Sequence, residues 1–214
     1  MVGAIVVLAG GGTAWAFARG PLGQPRDVAM SSASPTHTPV PAPILDCKES
    51  VQAGDVAVSK AYQSYKDWYV HVKAQWDLDK GKITLPQANH IWDVTHKRGS
   101  LDINAADASR IIYQRQRDAC GKVPSNVPAK YTTALARCKS RAAVIDATMT
   151  AGMKVGDEWA DHVLKEHQKR SIDPYDYHLM WVKAVRKAPK ALNAFKKAYN
   201  TYKKTPACQL PQSS

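Results

Sequence analysis

The sequence lacks the short motifs that announce familiar chemistries. No Gly-x-Ser-x-Gly elbow presents a nucleophile, and no Cys-x-x-Cys supports a zinc ribbon or a thioredoxin-type site. No glycine loop is placed to cradle phosphate, because Gly10-Gly11-Gly12 lies within an apolar leader. Acidic residues stop at Asp176, while Lys183, Arg186, Lys187, Lys190, Lys196, Lys197, Lys203 and Lys204 accumulate beyond it. These absences leave no established catalytic signature. The chain reads as non-enzymatic.

What is present is a duplication. Cys47-Lys48, Trp68 and His71-Val72 recur as Cys138-Lys139, Trp159 and His162-Val163, each 91 positions on. Ile83 and Trp92 recur as Ile172 and Trp181, 89 positions on, and Cys120 recurs as Cys208, 88 positions on. Cys and Trp are rare, so their coincidence carries weight. The drift in offset assigns small deletions to connecting loops, which tolerate them. Two copies are too few for a solenoid. They predict one all-α domain of pseudo-twofold, duplicated helical hairpins over 47–208, with repeats 47–120 and 138–208 and a tail at 209–214.

Within the first copy, Val51, Val58, Tyr62, Tyr65, Tyr69, Val72 and Trp76 step at helical intervals. They predict one long helix from about Lys48 to Asp79, stopped near Gly81. Thr84 and Pro86 open a second helix that ends near Lys97, and Arg98-Gly99-Ser100 breaks it from a third that reaches Cys120. In the second copy Asp173-Pro174 opens the corresponding arm, and Pro189 interrupts it before a last helix, Ala191 to Lys204. The expected architecture is a four-helix-bundle-like domain with kinked second and fourth arms. Gly156 and Ala160 stand where the first copy has Tyr65 and Tyr69. Large opposite small fills space between facing helices, so the two long helices are expected to pack together. Met149 and Met153 read as core filler.

Residues 1–18 form an apolar stretch compatible with a signal peptide or a membrane anchor. Residues 19–46 are rich in Pro, Ser and Thr and read as a disordered linker. Four cysteines behind such a leader predict two disulfides in an extracytoplasmic protein. The duplication favours Cys47–Cys120 and Cys138–Cys208, although cross-pairing is open because the hairpin plan puts all four at one end.

Two surfaces are candidates for function. Net charge is +12, and the eight cations after Asp176 favour an anionic envelope polymer or lipid. A solvated lysine face is the plainer reading. Nucleic acid is not expected, since Phe195, Tyr199 and Tyr202 step as a core stripe and export removes such partners. The membrane is a further partner through an uncleaved leader. No cofactor is required by this reading. The alternative rests on Asp67, His71, Glu158 and His162: each acid lies four before its histidine on one helix face, and two such pairs across a twofold axis could hold zinc or another first-row transition metal. The plainer reading of the same histidines is as hydrogen-bonded structural residues.

A short apolar leader, a Pro/Ser/Thr spacer and a paired-Cys helical domain with Trp68-x-x-His71 and Trp159-x-x-His162 together resemble uncharacterised exported helical proteins of actinobacteria. The resemblance implies an envelope address and no known activity.

Overall fold

A computed structural model describes residues 39–211, and the leader and most of the linker lie outside them. Four α-helices follow in order: α1 Ala42–Asp79, α2 Leu85–Gln114, α3 Ala129–Gln168 and α4 Pro174–Lys204. A 3-10 turn, Arg117–Lys122, carries Cys120, and a second, Lys169–Ser171, joins α3 to α4. Among the described residues there is no strand. The unit His37–Ser214 holds the whole described core and both disulfides.

The helix ends follow their sequence signals. Gly81 adopts φ 65°, a left-handed turn that glycine takes without strain. The Gln87 side-chain oxygen accepts from the Thr84 backbone N–H at 2.8 Å, and Pro86 sits in the first turn of α2. The Asp173 carboxylate accepts from the N–H groups of Tyr175 and Asp176 at 2.8 and 3.3 Å. The linker is shorter than expected, because α1 begins at Ala42 and Ile44 is already in the core.

Two expected breaks are absent. Helix α2 runs through Gly99, and α4 runs through Pro189. Gly99 is there for contact: a Cβ on it would lie 2.7 Å from Trp159 Cζ2. Pro189 removes one backbone hydrogen bond from α4. The helix continues past it because Val185, Ala188, Ala191, Leu192 and Phe195 bury one face on both sides.

The hairpins close as the duplication favoured. Cys47 bonds Cys120 and Cys138 bonds Cys208. Their loops of 73 and 70 residues each restrict the unfolded chain by about 4 kcal/mol in the loop-entropy account.

The long helices meet along a seam of equivalent residues. Gly54 faces Ile145, Gly152 faces Ala61, and Trp68 stacks on Trp159 with ring centroids 5.2 Å apart. Each pair is related by the 91-residue offset, and successive pairs are seven residues apart. Such a ladder requires α1 and α3 to run parallel, side by side, with the pseudo-twofold axis between them. The seven-residue step keeps the seam together as in a parallel coiled coil. Helices α2 and α4 run antiparallel to this pair, α2 packed mainly on α1 and α4 mainly on α3, and Trp92 of α2 meets Trp181 of α4 edge-on with ring centroids 6.0 Å apart.

The long helices therefore pack as expected, through different residues. Tyr65 stacks on Tyr62 and Tyr69 and meets Phe195 at a tilt, and an added Cβ on Gly156 would meet nothing within 4 Å. At Gly54 an added Cβ would lie 2.7 Å from Ile145 Cγ2 and 2.9 Å from Tyr113. Gly54→Ala is thus expected to lower stability by about 1–3 kcal/mol through overpacking. Gly156→Ala is expected to raise it by up to about 1 kcal/mol through helix propensity. Urea midpoints at unchanged slope measure both.

Candidate functional site

The duplication places two histidines on the axis. His71 on α1 and His162 on α3 are 4% and 6% exposed, and their Nε2 atoms lie 3.0 Å apart. Aromatic rings enclose them. Trp181 meets His71 edge-on at 5.4 Å between centroids, and Trp159 and Trp92 flank the same ring at 5.0 and 6.3 Å. Trp92 donates its indole N–H to the His71 carbonyl, and Trp181 donates to the Gln75 side chain.

A hydrogen-bond chain couples the tautomers of the two rings. The Thr95 hydroxyl can donate to the Ile91 carbonyl at 2.8 Å, as threonine does within a helix. When it does, its lone pair accepts from His71 Nδ1–H at 2.7 Å and His162 Nε2–H donates to His71 Nε2; when the hydroxyl instead donates to Nδ1, His71 Nε2–H donates to His162. One proton occupies the gap between the rings. A second would turn one ring into a buried imidazolium and set two N–H groups against each other.

Both imidazoles are accordingly held well below their ordinary range. Burial is the main cause for each. His71 falls to about 2, with positive charge on His162 and His96 adding to the effect. His162 falls to about 4, where Glu166 opposes the shift and His96 adds to it.

The carboxylates expected beside them turn elsewhere. Asp67 pairs with Arg98 on α2. Glu158 Oε1 lies 3.5 Å from Lys187 Nζ on α4. These two ion pairs are themselves equivalent, each joining the long helix of a copy to its own second arm. Burial, then a hydrogen bond with Asp102, raise Asp67 to about 6 against the pull of Arg98. Among the described residues no group of three or more His, Cys, Asp or Glu is gathered to hold a metal ion. The set Asp67, His71, Glu158 and His162 is therefore divided: the histidines converge and the acids do not.

The histidine pair forms part of the wall of a cleft of about 480 Å³, which His96, Glu166, Lys169, Tyr177, Trp92 and Trp181 also line. Tyr177 donates its hydroxyl to Glu166. His96 and His167, which have no counterparts in the other copy, lie with ring centroids 5.1 Å apart.

A second symmetric set lies near the disulfides. The Tyr113 hydroxyl donates to Asp146 at 2.8 Å, and the Tyr202 hydroxyl donates to Asp55 at 2.9 Å. The tyrosines are 89 apart and the aspartates 91 apart, so each copy lends a phenol to the other's carboxylate. Arg141 strengthens one of the two. It bonds Asp55, donates to the carbonyls of Tyr202 and Thr205 at 2.6 and 2.8 Å, and lies over the Tyr202 ring. Its counterpart in the first copy is Ser50, so this clamp is one-sided.

On α4 the cations Lys183, Arg186, Lys187, Lys190, Lys196, Lys197, Lys203 and Lys204 are all exposed, opposite the buried face. Among the described residues, only Lys187 of the eight has an ion-pair partner.

No family model, curated protein or solved structure matches the chain.

The histidine pair sets a pH dependence. Their folded pKa values lie below the unfolded value of about 6.5. Their stabilisation is thus fully present above pH 6.5 and is lost as pH falls. Asp67 acts in the opposite sense: its raised value favours the folded state at acid pH, and that contribution disappears as pH rises through about 6. Two histidines outweigh one aspartate between pH 4 and 6.5. The melting temperature is expected to fall from pH 7 to pH 5, and His162→Gln is expected to flatten that fall. Thermal melts across this range provide the measurement, and a wild-type melting temperature that rises on acidification would contradict the assignment.

Proposed function

We propose that this protein is a non-enzymatic binding module of the cell envelope, and that the outer face of α4 contacts an anionic wall polymer or lipid. The observation that carries the reading is the run of exposed cations on α4 with one ion-pair partner among the described residues. Uncompensated like charges on one helix repel one another, and an anionic surface relieves that repulsion. The two halves of the run differ. Lys187 and Lys190 share a cleft with Asp157, Glu158 and Asp161 of α3. Lys196, Lys197, Lys203 and Lys204 lie beyond those acids and form the stronger contact.

The address is extracytoplasmic. Two disulfides suit an oxidising compartment, and residues 1–18 supply export or anchoring. Among the described residues no helix is long and apolar enough to cross a membrane.

The unit His37–Ser214 is expected to be retained on phosphatidylglycerol vesicles and not on phosphatidylcholine, with retention falling as salt screens the charges. Changing Lys196, Lys197, Lys203 and Lys204 to Glu should weaken retention by on the order of 100-fold or more, given about 1 kcal/mol per basic residue near an anionic surface. Retention that ignores both salt and these changes would defeat the reading. Parallel assays on purified wall polymer separate polymer from lipid.

A second reading rests on the 3.0 Å approach of the two Nε2 atoms. A first-row transition metal in place of the shared proton would use His71 and His162, with Thr95 holding the His71 ring by its other nitrogen. Tetrahedral bonds of 2.0–2.1 Å need roughly 3.3 Å between the nitrogens, a small opening of the pair. Zinc or copper titration of the same unit is expected to give one site per chain, lost in His71→Ala/His162→Ala. An absence of metal binding, with a melting temperature indifferent to chelator, would leave the pair structural.

A further inference from the structure

The two halves of the molecule differ in how they fill one groove. Between α1 and α4 the chain closes it with its own rings. Tyr65 lies against Phe195 with ring centroids 5.0 Å apart, and Tyr62 stacks on Tyr199 at 4.2 Å. Tyr69 extends the row beyond Tyr65. The pseudo-twofold axis generates an equivalent groove between α3 and α2. There Gly156 and Ala160 stand where α1 has Tyr65 and Tyr69, and Ala106 stands where α4 has Phe195. Three rings are thus missing. The small residues line an open groove of about 250 Å³, and a Cβ on Gly156 would meet nothing within 4 Å.

A polar group accompanies the missing rings. Ser64 lines the open groove, is 2% exposed, and has a buried hydroxyl with no hydrogen-bond partner among the described residues. The equivalent position in the filled half is Val155, which is buried and apolar. A buried hydroxyl without a partner costs free energy, and this one stands in the half where the chain supplies no rings.

We propose that the groove between α2 and α3 binds a neutral, planar aromatic small molecule carrying a hydroxyl group, a phenol of one or two rings. The filled half defines the shape, because there the same space between a long helix and a second arm is taken by phenol and phenyl rings. An apolar cavity of about 150 Å³ accepts one benzene, so 250 Å³ leaves room for a second ring. A ligand hydroxyl can donate to Ser64 or accept from it, which gives the buried oxygen its partner. Charge selects the neutral form. Asp107 and Asp157 line the groove with Arg110 as its one cation, and Arg110 is engaged by Asp107 and Gln114 at 3.2 and 3.1 Å. An anionic ring would meet that excess of acid. The site is separate from the basic face of α4 and from the histidine pair, and neither earlier reading depends on it.

The test is a titration of the oxidised His37–Ser214 unit with 2-naphthol, followed through backbone amide resonances. One site per chain is expected, with the largest shifts around Ala106 and Gly156. Gly156→Tyr installs the ring that the filled half carries and is expected to abolish binding. Ala160→Phe serves the same purpose if circular dichroism shows that the first variant does not fold. Ser64→Ala is expected to weaken 2-naphthol about fivefold, as the loss of one neutral hydrogen bond does, and to leave naphthalene unaffected. A unit that binds no 2-naphthol, shifts centred on the histidine cleft, a folded groove-filling variant that still binds, or an equal loss of both ligands in Ser64→Ala would each overturn the proposal. Decahydro-2-naphthol bound as tightly as 2-naphthol would remove the requirement for a flat ring. N-acetyltyrosinamide bound more tightly than 2-naphthol would assign the groove to a peptide side chain instead.

Discussion

The seam between α1 and α3 governs the molecule. A twofold axis brings each residue on it against its own counterpart, so two identical large side chains collide and two identical small ones leave a void. The seam satisfies close packing by breaking the identity of the copies. Gly54 accepts Ile145, and Ala61 lies beside Gly152. Where the identity is retained, the residues are flat rings that can share the space: Trp68 on Trp159, and His71 beside His162. The histidine contact is thus a product of symmetry. A residue that must meet itself in a dry place needs to be both donor and acceptor, and neutral imidazole is the aromatic side chain that offers both on one ring.

The duplication was legible because it is written in rare residues. Four cysteines, four tryptophans and two histidines at matched offsets define the hairpins, the axis and the disulfides. The Tyr113–Asp146 and Tyr202–Asp55 pairs obey the same offsets, and the sequence held that signal in commoner residue types, where coincidence masks it. The continuity of α2 and α4 was not legible. Gly99 and Pro189 have poor helix propensity, and tertiary contact overrides propensity: Trp159 needs the space at Gly99, and buried alanines hold α4 on both sides of Pro189. The acid-to-histidine spacing did place both side chains on one side of a helix. It could not show that such a side is wide enough to serve two neighbours. His71 turns to the opposite long helix, while Asp67 turns to the second arm of its own hairpin.

Divergence between the copies is greatest where the axis no longer constrains it. The seam and the disulfides hold equivalent residues in equivalent places. On the outer faces of α2 and α4 no counterpart is met, and each position is free to take its own chemistry. One arm exposes Val94, Leu101 and Ile112 among mixed charges, and the other exposes Lys183, Lys190 and Thr201 at the equivalent positions. The one-sided Arg141 clamp is an intermediate case, in which a symmetric Tyr–Asp pair has a cation beside it in one copy and Ser50 at the equivalent position in the other.

The two disulfides also set how the domain bears load. A pull between residue 39 and residue 211 enters α1 and passes from Cys47 directly to Cys120. It then follows the chain to Cys138 and passes directly to Cys208. Apart from the ends, 39–46 and 209–211, only the segment from 121 to 137 lies in that path, and it includes the first turns of α3. Both hairpins, the histidine pair and the basic face hang outside it as closed loops. Tension can pay out the 17 residues from 121 to 137, roughly 60 Å of extended chain, and then meets covalent bonds. A module on a spacer could be pulled taut against its partner while the helices that make the contact remain folded.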